Sequence, residues 1–366
     1  MQITQITSDS MGKEMSIIEA KYEAQKLAFG PFYFQVVVSL KDLGILQLLA
    51  KKRKGIKLSD IAQEVSVSEY GVGVLLEAAE CVDIVEYIDK ESVKLTKVGH
   101  LLNSDTMTNV NLNFMKYVCY DGIKHLTDCI KTGKPEGLKE IGDWDTIYEG
   151  LSHFPEKVRD SWLGFDHYYS DDAFPEALKI VFKEKPNYLF DIGGNTGKWS
   201  FQCCNFDADV RIKILDLPGQ LTMAKANVQA KNLQDRIDFH QIDLLDEFQK
   251  IPKGADAIWM SQFLDCFSKN EILQILKNVH QAVDHKAFVY ILEPFIDNQE
   301  FEAAKYCLTA TSVYFTTMAN GNSKMYGIDV MKDLAEKAGL EVVETFELLG
   351  NSYQTILKCK KALPEN

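Results

Sequence analysis

The stretch that decides the fold spans residues 189–199 and reads LFDIGGNTGKW. Its first half is a short apolar run, broken only by Asp191, which is typical of a buried strand. Gly193, Gly194 and Gly197 follow at once, and glycine lets the backbone turn tightly and approach a ligand with no Cβ in the way. A helix that begins directly after the turn adds unpaired N–H donors. The stretch therefore predicts a strand, a turn and a helix that together bind a nucleoside.

From residue 187 onward, apolar strands alternate with helices. The predicted strands are YLFDIGG, VRIKILDLP, IDFHQIDLL, ADAIWMSQF and AFVYILEPF, with helices such as LTMAKANVQAKNL and NEILQILKNVHQAV between them. This alternation indicates an α/β domain with a doubly wound, mostly parallel, Rossmann-like sheet. The tail from Tyr326 predicts one more helix and two strands, which we expect to form an antiparallel hairpin at the sheet edge.

The N-terminal part has a different pattern. After helical residues 16–50, Ser59 can cap a helix that ends at Val65, and Ser68 can cap a second helix that ends at Glu80. The following VDIVEYIDKESVKLT alternates like a hairpin with its turn at residues 89–92. Helix, turn, helix and hairpin together predict a winged helix, and the chain is divided into a winged-helix domain (1–104), a helical connector (105–180) and a Rossmann-like domain (181–366).

The distribution of charge indicates whether the winged helix binds DNA or serves as a dimerisation or lid module. The second helix would enter the major groove of DNA, yet it has no lysine or arginine and carries Glu69, Glu77 and Glu80. The whole chain has a net charge of −13, which repels nucleic acid and anionic membranes. A dimerisation or lid module is therefore favoured, with no nucleic-acid or membrane partner, and a DNA-binding regulator that senses a nucleoside is the less favoured alternative.

Cysteines and hydropathy indicate the compartment. The eight cysteines form neither CxxC pairs nor a zinc-spaced cluster, so they are expected to be reduced thiols in the cytoplasm, with no metal site. The start, MQITQITSDSMGKEM, lacks the basic and apolar regions of an export signal. No stretch offers eighteen uninterrupted apolar residues, so we expect neither export nor a membrane span.

The glycine turn distinguishes between two classes of cofactor. The dinucleotide fingerprint G-x-G-x-x-G would need glycine at position 192, where this chain has isoleucine, so pyrophosphate binding is disfavoured. The pattern D-x-G-G-x-x-G suits a cationic cofactor without phosphate, with Asp191 near its positive methionyl end. Asp216 ends the second strand about 20 residues past the glycines, where a carboxylate can accept both ribose hydroxyls. Asp243, after the third strand, can accept a bond from an adenine amino group.

Five segments together carry a family resemblance: DIGGNTG, LDLPGQLTMAKAN, ADAIWMSQFLDCFSKNEILQILKNVHQAV, ILEPF and NGNSKMYGIDVMKDLAEKAGL. They resemble the small-molecule O-methyltransferase family, which includes plant caffeate-type and bacterial polyketide or hydroxyindole enzymes, and the resemblance covers nearly the whole chain. It implies a class I methyltransferase domain that uses S-adenosyl-L-methionine, a winged-helix dimerisation domain and a homodimer. The cofactor-binding residues expected from the turn, the strand ends and the resemblance are Asp191, Gly193, Gly194, Asn195, Gly197, Asp216, Leu217, Asp243, Leu244 and Ser261.

The chain departs from the family pattern at two positions. The family usually has a third consecutive glycine where this chain has Asn195, a residue type that tolerates positive φ. Many members also have a Leu-His-Asp-Trp stretch after the fourth strand, whose histidine is the general base. The matching run here, residues 264–267, reads LDCF, so the usual base is missing.

Three residues are candidates for the missing base, and a fourth is a candidate for an orienting residue. Asp265 is the leading candidate for the base, although an ordinary aspartate pKa of about 3.9 suits this task only if burial raises it. Glu293, at the end of the fifth strand, is a possible orienting residue, and His153 and His167 are alternative bases. Because the histidine is absent, a second hypothesis keeps the cofactor but replaces methyl transfer by hydroxylation or decarboxylation.

The substrate is expected to be a small aromatic or polyketide-like molecule. Residues 105–180 are rich in aromatic side chains with helical spacing, and some of these rings are expected to wall a pocket for a flat organic ligand. The candidate pocket residues are Phe114, Met115, Trp162, Tyr168, Tyr169, Phe315 and Met318.

Overall fold

The structure, a computed structural model, describes residues 15–363. Residues 1–14, which hold nearly all of the segment in which no export signal is expected, lie outside the described residues. The chain forms two compact units, of which the first ends at Leu112 and the second begins at Asn113. The three-part division predicted from the sequence, with boundaries after residues 104 and 180, stays a prediction.

The first unit is mainly helical. Its elements are α1 (Ile17–Asp42), α2 (Ile45–Lys51), β1 (Ile56–Lys57), α3 (Leu58–Val65), α4 (Glu69–Cys81), β2 (Val85–Tyr87), β3 (Ser92–Leu95), α5 (Lys97–Ser104) and the start of α6 (Thr106–Phe114). Ser68 caps α4 as predicted, since its hydroxyl accepts a hydrogen bond from the Gly71 N–H at 3.1 Å. The predicted cap at Ser59 is wrong, because α3 begins at Leu58, two residues earlier than a Ser59 cap requires, and Lys57 stands at its N-cap.

The hairpin of the first unit forms as predicted. Strands β2 and β3 pair antiparallel, and the Asp89 carboxylate holds the turn by accepting hydrogen bonds from the N–H groups of Glu91 and Ser92. Strand β1 adds a third, antiparallel strand beside β3, which the sequence pattern did not predict because it has only two residues. Leu40, Leu46, Ile61, Leu76 and Val93 lie in the core of this unit.

No single helix in residues 15–363 is both long and apolar enough to cross a membrane. Helices α1 and α2 reach the required length and hydropathy only when they are taken together across a bend of 63°.

The second unit begins with helical segments and continues as an α/β layer structure. Its helices are the end of α6, α7 (Leu126–Thr132), α8 (Ile147–Gly150), α9 (Glu156–Ser170), α10 (Phe174–Val181), α11 (Lys198–Phe206), α12 (Pro218–Ala230), α13 (Lys269–Ala282), α14 (Glu302–Tyr314) and α15 (Ile328–Lys337). Helices α6 and α14 each continue into a π-helical turn, at Met115–Cys119 and Phe315–Ala319. Such turns are often found at functional sites.

The sheet of the second unit has seven strands. They are β4 (Tyr188–Ile192), β5 (Arg211–Asp216), β6 (Ile237–Gln241), β7 (Ala257–Ser261), β8 (Phe288–Glu293), β9 (Leu340–Leu349) and β10 (Gln354–Lys361). The strand order is β6-β5-β4-β7-β8-β10-β9. The first five are parallel, and β9 and β10 form the antiparallel hairpin predicted for the tail. The predicted doubly wound, mostly parallel fold is confirmed.

This topology sets the position of the site. Both faces of the sheet are covered by apolar cores, with residues such as Met260, Leu276 and Ile291 on one face and Leu189, Trp199 and Trp259 on the other. The strand order reverses direction beside β4, where β5 and β7 lie on either side of it. In open α/β sheets ligands bind in the crevice outside the carboxyl ends of the strands at such a point.

Candidate functional site

The glycine turn at the end of β4 has the backbone that its sequence predicts. Gly193, Asn195 and Gly197 have positive φ values of 70°, 48° and 86°, and Gly197 leads into α11. The turn is held by backbone hydrogen bonds from Gly193 N–H to the Leu215 carbonyl and from Gly197 N–H to the Gly194 carbonyl, at 2.9 and 2.8 Å. Asn195 thus adopts the left-handed conformation in place of the family's third glycine.

The turn is closely surrounded. A Cβ added to Gly193 would lie 2.3 Å from a ring carbon of Phe263, and one added to Gly194 would lie 2.9 Å from a carboxylate oxygen of Asp191. These positions require glycine because neighbouring side chains occupy the space. Asp191 itself is buried, accepts a hydrogen bond from the Ser200 hydroxyl at 2.6 Å, and has its pKa raised to about 7 by burial.

Asp216 and Asp243 differ in their surroundings. Asp216 ends β5 beside the turn, where its carboxylate accepts hydrogen bonds from the N–H groups of Asn195 (2.9 Å) and Leu217 (2.7 Å), and burial raises its pKa to about 6. Asp243 lies two residues after β6, is exposed, and accepts a hydrogen bond from the Leu245 N–H. Leu244 points into the core.

A second turn follows β7 and carries the acidic candidates. Gln262 has a φ of 45°, and residues 264–266 form a short 3-10 helix. One carboxylate oxygen of Glu293, at the end of β8, accepts hydrogen bonds from the N–H groups of Phe263 (3.2 Å) and Leu264 (2.9 Å). Glu293 thus fixes the backbone that presents Asp265, and its role as an orienting residue stays a prediction.

Asp265 is buried, with 4% of its surface exposed. Burial, with a smaller contribution from the nearby acidic side chain of Asp166, raises its pKa to about 7. Glu293 is 2% exposed, and burial together with the adjacent Asp265 raises its pKa well above the usual range. The condition that the sequence placed on Asp265 as a base, a pKa raised by burial, is met.

The aromatic cluster beside these turns is built from two parts of the chain. Phe114, Met115, Trp162, Phe315 and Met318 belong to one cluster of packed apolar side chains. The Trp162 indole N–H donates to the Tyr314 hydroxyl at 2.7 Å, and the Phe114 and Phe165 rings stack 3.9 Å apart. Tyr168 and Tyr169 lie outside this cluster; the Tyr169 ring packs against Phe165, and its carbonyl accepts a hydrogen bond from Ser352.

The two candidate histidines lie in different places. His153 is exposed and close to the Ser152 hydroxyl and the Trp144 ring. His167 is half-buried on α9, 3.5 Å from the Asp171 carboxylate and 3.4 Å from the Thr196 hydroxyl on the glycine turn.

Several functional residues were missed by the sequence analysis. Asp166 and Tyr148 are near Asp265, and Phe263 joins the two turns through its contact with Gly193. For Asp166 a signal was present, because it lies four residues after Trp162 and therefore on the same side of α9. Phe263 carried no such signal, since only the tertiary fold brings β7 beside β4.

Buried polar atoms that lack a hydrogen-bond partner, called orphaned atoms here, indicate whether a nucleoside cofactor fits this crevice. Among residues 15–363, the Asn195 amide oxygen, the Ser261 hydroxyl, the Tyr148 hydroxyl and the second Glu293 carboxylate oxygen are buried without a hydrogen-bond partner. Buried polar groups are nearly always paired, so groups like these mark places for a ligand or water. The glycine turn, Asp216 and Ser261 fit a ligand with hydroxyl and amino donors and a cationic end.

Two protein families match the sequence. Residues 21–92 match the Dimerisation2-like domain, and residues 173–341 match the O-methyltransferase domain.

Two methyltransferases are among the individual proteins to which this chain is similar. The chain is 22% identical over 325 residues to L-tyrosine C(3)-methyltransferase of Streptomyces lavendulae, covering 88% of this chain and 87% of that protein. It is 22% identical over 285 residues to acetylserotonin O-methyltransferase of Bos taurus, covering 75% of this chain and 80% of that protein.

Solved structures share the fold. The S-adenosylmethionine-dependent methyltransferase SibL superposes with a TM-score of 0.70 at 19% identity, covering 92% of this chain and 98% of that one. Human N-acetylserotonin methyltransferase in complex with SAM superposes with a TM-score of 0.67 at 17% identity, covering 96% of this chain and 100% of that one.

Proposed function

We propose that this chain, whose residues 173–341 match the O-methyltransferase domain, uses S-adenosyl-L-methionine to methylate a hydroxyl of a small aromatic or polyketide-like molecule. The observation that carries the proposal is the meeting of two turns at the carboxyl ends of β4 and β7. One is a glycine turn with a carboxylate beside it, and the other carries a buried carboxyl with a pKa of about 7.

The cofactor is held, in this proposal, by the glycine turn and the strand ends. Asp216 accepts the ribose hydroxyls, Asp243 accepts the adenine amino group, and the orphaned oxygens of Asn195 and Ser261 complete the set. Gly193, Gly194 and Gly197 let the backbone approach, while Asp191, Leu217 and Leu244 line the site. When bound, S-adenosyl-L-methionine supplies an electrophilic methyl group.

Asp265 acts as the general base. The substrate oxygen gains the methyl group, and its proton passes to the Asp265 carboxylate. A base with a pKa near the working pH is the most effective, which is what burial gives Asp265. Glu293 is a positioning residue, because it holds the backbone of the turn rather than the reacting oxygen. The alternative histidines are less well placed: His153 is exposed, and the His167 ring is bracketed by Asp171 and Thr196.

The aromatic cluster around Trp162, Phe114 and Phe315 suits a flat, apolar substrate. Orientation of the hydroxyl toward the methyl group contributes on the order of 7 kcal/mol to lowering the barrier of such a transfer. The planar walls therefore act on rate as well as on affinity. Tyr168 and Tyr169 extend the same wall through Phe165.

The test is incubation of the purified protein with methyl-labelled cofactor and a panel of phenols, followed by product mass spectrometry. The proposal predicts a labelled product that is heavier by CH₂, with the methyl on oxygen by NMR. A methyl on ring carbon would replace O-methylation by C-methylation, the chemistry named for the Streptomyces lavendulae relative.

The missing histidine at position 265 favours one second candidate, a reaction other than methyl transfer in the same site. In that case the product would gain oxygen or lose CO₂, and no label would be transferred. The same mass spectra therefore decide between the two functions.

The first unit is proposed to be a winged-helix dimerisation domain, and the protein a cytoplasmic homodimer. Ile17, Ile18, Leu27 and Phe32 on α1 are each more than 70% exposed, and several exposed large apolar side chains on one helix are costly in a monomer. The match of residues 21–92 to the Dimerisation2-like domain supports the same reading. The eight cysteines, which form neither CxxC pairs nor a zinc-spaced cluster, are proposed to be reduced thiols of a cytoplasmic protein.

Light scattering tests the dimer. It should report about twice the chain mass of 41.5 kDa, and substituting charged residues for Leu27 and Phe32 should shift the mass to that of one chain. A mass of one chain for the unaltered protein would refute the homodimer. A gel shift with DNA at low salt should show no retardation, whereas retardation would restore the DNA-binding alternative.

A further inference from the structure

The position where the chain departs from the family's glycine pattern makes a contact that glycine cannot make. The Asn195 side-chain amide on the turn after β4 donates to the Asp166 carboxylate on α9, with 3.3 Å between Nδ2 and Oδ2. The Asn195 backbone N–H donates to Asp216, the proposed ribose-binding carboxylate. One residue therefore contacts both the proposed cofactor site and the helix that carries Trp162.

Two further polar contacts join the same two elements. The Thr196 hydroxyl lies 3.4 Å from His167 Nε2, and the Lys198 ammonium lies 2.8 Å from the Asp171 carboxylate, which also faces His167. The C-terminal turn of α9 is thus attached to the glycine turn by a row of side-chain contacts. This row, Asp166, His167 and Asp171 with Asn195, Thr196 and Lys198, is called the α9 latch below.

The middle of the same helix, Glu156–Ser170, carries part of the aromatic wall. Trp162 donates to Tyr314, and Phe165 stacks on Phe114, so a shift of α9 would displace two rings of the proposed substrate pocket. The Asn195 amide oxygen is buried and has no partner in the part of the chain that the structure describes. A ligand donor at that oxygen would fix the Asn195 side chain, and with it the hydrogen bond to Asp166.

We propose that Asn195 is a positioning residue that couples the cofactor site to the aromatic wall: a cofactor on the glycine turn fixes Asn195, and through the α9 latch this orders α9 for the methyl acceptor. The proposal rests on the proposed function, because it takes the ligand of the turn to be S-adenosyl-L-methionine or its product. It assigns a reason to the asparagine that the family pattern does not contain.

Hydrogen exchange tests the coupling without any substrate. Amide exchange of residues 156–170 and of the glycine turn is measured with and without S-adenosylhomocysteine, in the wild type and in Asn195→Gly. In the wild type the ligand should slow exchange at both places. In Asn195→Gly it should still slow exchange at the turn, while the added protection of α9 should fall about tenfold, the effect expected for losing one hydrogen bond to a charged group.

Asn227→Ala is the matched control. The Asn227 side chain donates to the Thr196 carbonyl at 3.1 Å, so the substitution also removes one amide hydrogen bond to the same turn, but from α12. The ligand should still protect α9 in Asn227→Ala. Equal protection of α9 in the wild type and in Asn195→Gly would overturn the coupling alone, whereas a wild type with no protection at the turn would overturn the proposed function itself.

A kinetic readout separates positioning from loss of structure. Measured at saturating cofactor, Asn195→Gly should raise KM for the phenol that the wild type methylates by about tenfold. It should also weaken the affinity for S-adenosylhomocysteine, by about tenfold at most, because it removes the amide oxygen proposed to contact the ligand. Asn195→Asp, which retains a polar side chain but repels Asp166, should not restore KM, whereas Asn195→Gln should restore it in part. An unchanged KM in Asn195→Gly would contradict the proposal.

Discussion

The two turns that meet at the crevice are built in different ways, one around its backbone and the other around a buried carboxyl group. The turn after β4 is made of glycine and asparagine with positive φ, and its groups are held by backbone hydrogen bonds. The turn after β7 has one residue with positive φ, Gln262, and presents the buried carboxyl of Asp265, while Glu293 holds the backbone of the turn. The first site is defined by the space that its backbone leaves free, the second by a pKa that burial has changed.

This difference predicts which kind of substitution each turn cannot tolerate. A backbone site fails when an atom is added, because no side chain can move to make room for the ligand. A carboxyl site fails when a charge is removed, while its shape survives. The predictions that follow test this contrast, from the largest expected effect to the smallest.

Gly193→Ala should abolish measurable binding of S-adenosylhomocysteine in calorimetry. The new Cβ would lie 2.3 Å from the Phe263 ring, and the backbone φ of 70° disfavours alanine by about 1 kcal/mol or more. Gly164→Ala on α9 is the control, because a Cβ there meets nothing within 4 Å and its affinity should match the wild type. Normal binding by a folded Gly193→Ala protein would show that the turn does not hold the cofactor.

Asp265→Asn should lower kcat by about 100-fold or more, the range found for removing a general base. Affinity for S-adenosylhomocysteine should stay unchanged, because the substitution leaves the turn after β4 intact. Steady-state kinetics and calorimetry on the same preparation check both expectations. Turnover at the wild-type rate would remove Asp265 as the base and direct attention to His167.

The pH dependence of kcat sharpens the same assignment. Because burial raises the pKa of Asp265 to about 7, the carboxyl is protonated and inactive below that pH and ionised above it. At saturating cofactor and substrate, kcat should rise about tenfold per pH unit below pH 7 and become constant above it. A profile that is flat between pH 5 and pH 8 would contradict a base with this pKa.

Asp216→Asn should weaken cofactor binding about tenfold, and Asp243→Asn should weaken it less. Asp216 is held by two N–H groups beside the glycine turn, whereas Asp243 is exposed and screened by solvent. Titration calorimetry of both variants measures the ranking. The reverse order would place the ribose nearer to β6 than to β5.

The last prediction concerns the stability of the fold rather than binding or turnover. The pKa of Asp265 is raised from 3.8 to about 7, so the folded state binds more protons than the unfolded state between these pH values. Stability therefore falls as the pH rises from about 4 to about 7, and Asp265→Asn removes this loss. The variant should be more stable than the wild type by about 2 to 4 kcal/mol at pH 8 and similar to it at pH 4. Denaturant unfolding at both pH values decides this.

Much of this fold is legible in local sequence. Positions 189–199 predicted a strand, a glycine turn and a helix, and all three form because backbone propensity and apolar burial act there over a few residues. The antiparallel hairpin of the tail and the Ser68 cap were predictable for the same reason. Where the local pattern was ambiguous, as at Ser59 and the two-residue strand β1, the prediction was wrong or absent.

The sequence by itself determined which segments form the strands of the second unit, the glycine turn, the acidic residues after it and the missing histidine. Each of these depends on residue type and short spacing. The tertiary structure alone decided that Phe263 covers Gly193, that Glu293 holds the Asp265 turn and that Asn195 reaches Asp166. These contacts join residues far apart in the chain. Burial, which moves the pKa of Asp265 to about 7, exists only once the sheet and its helices have packed together.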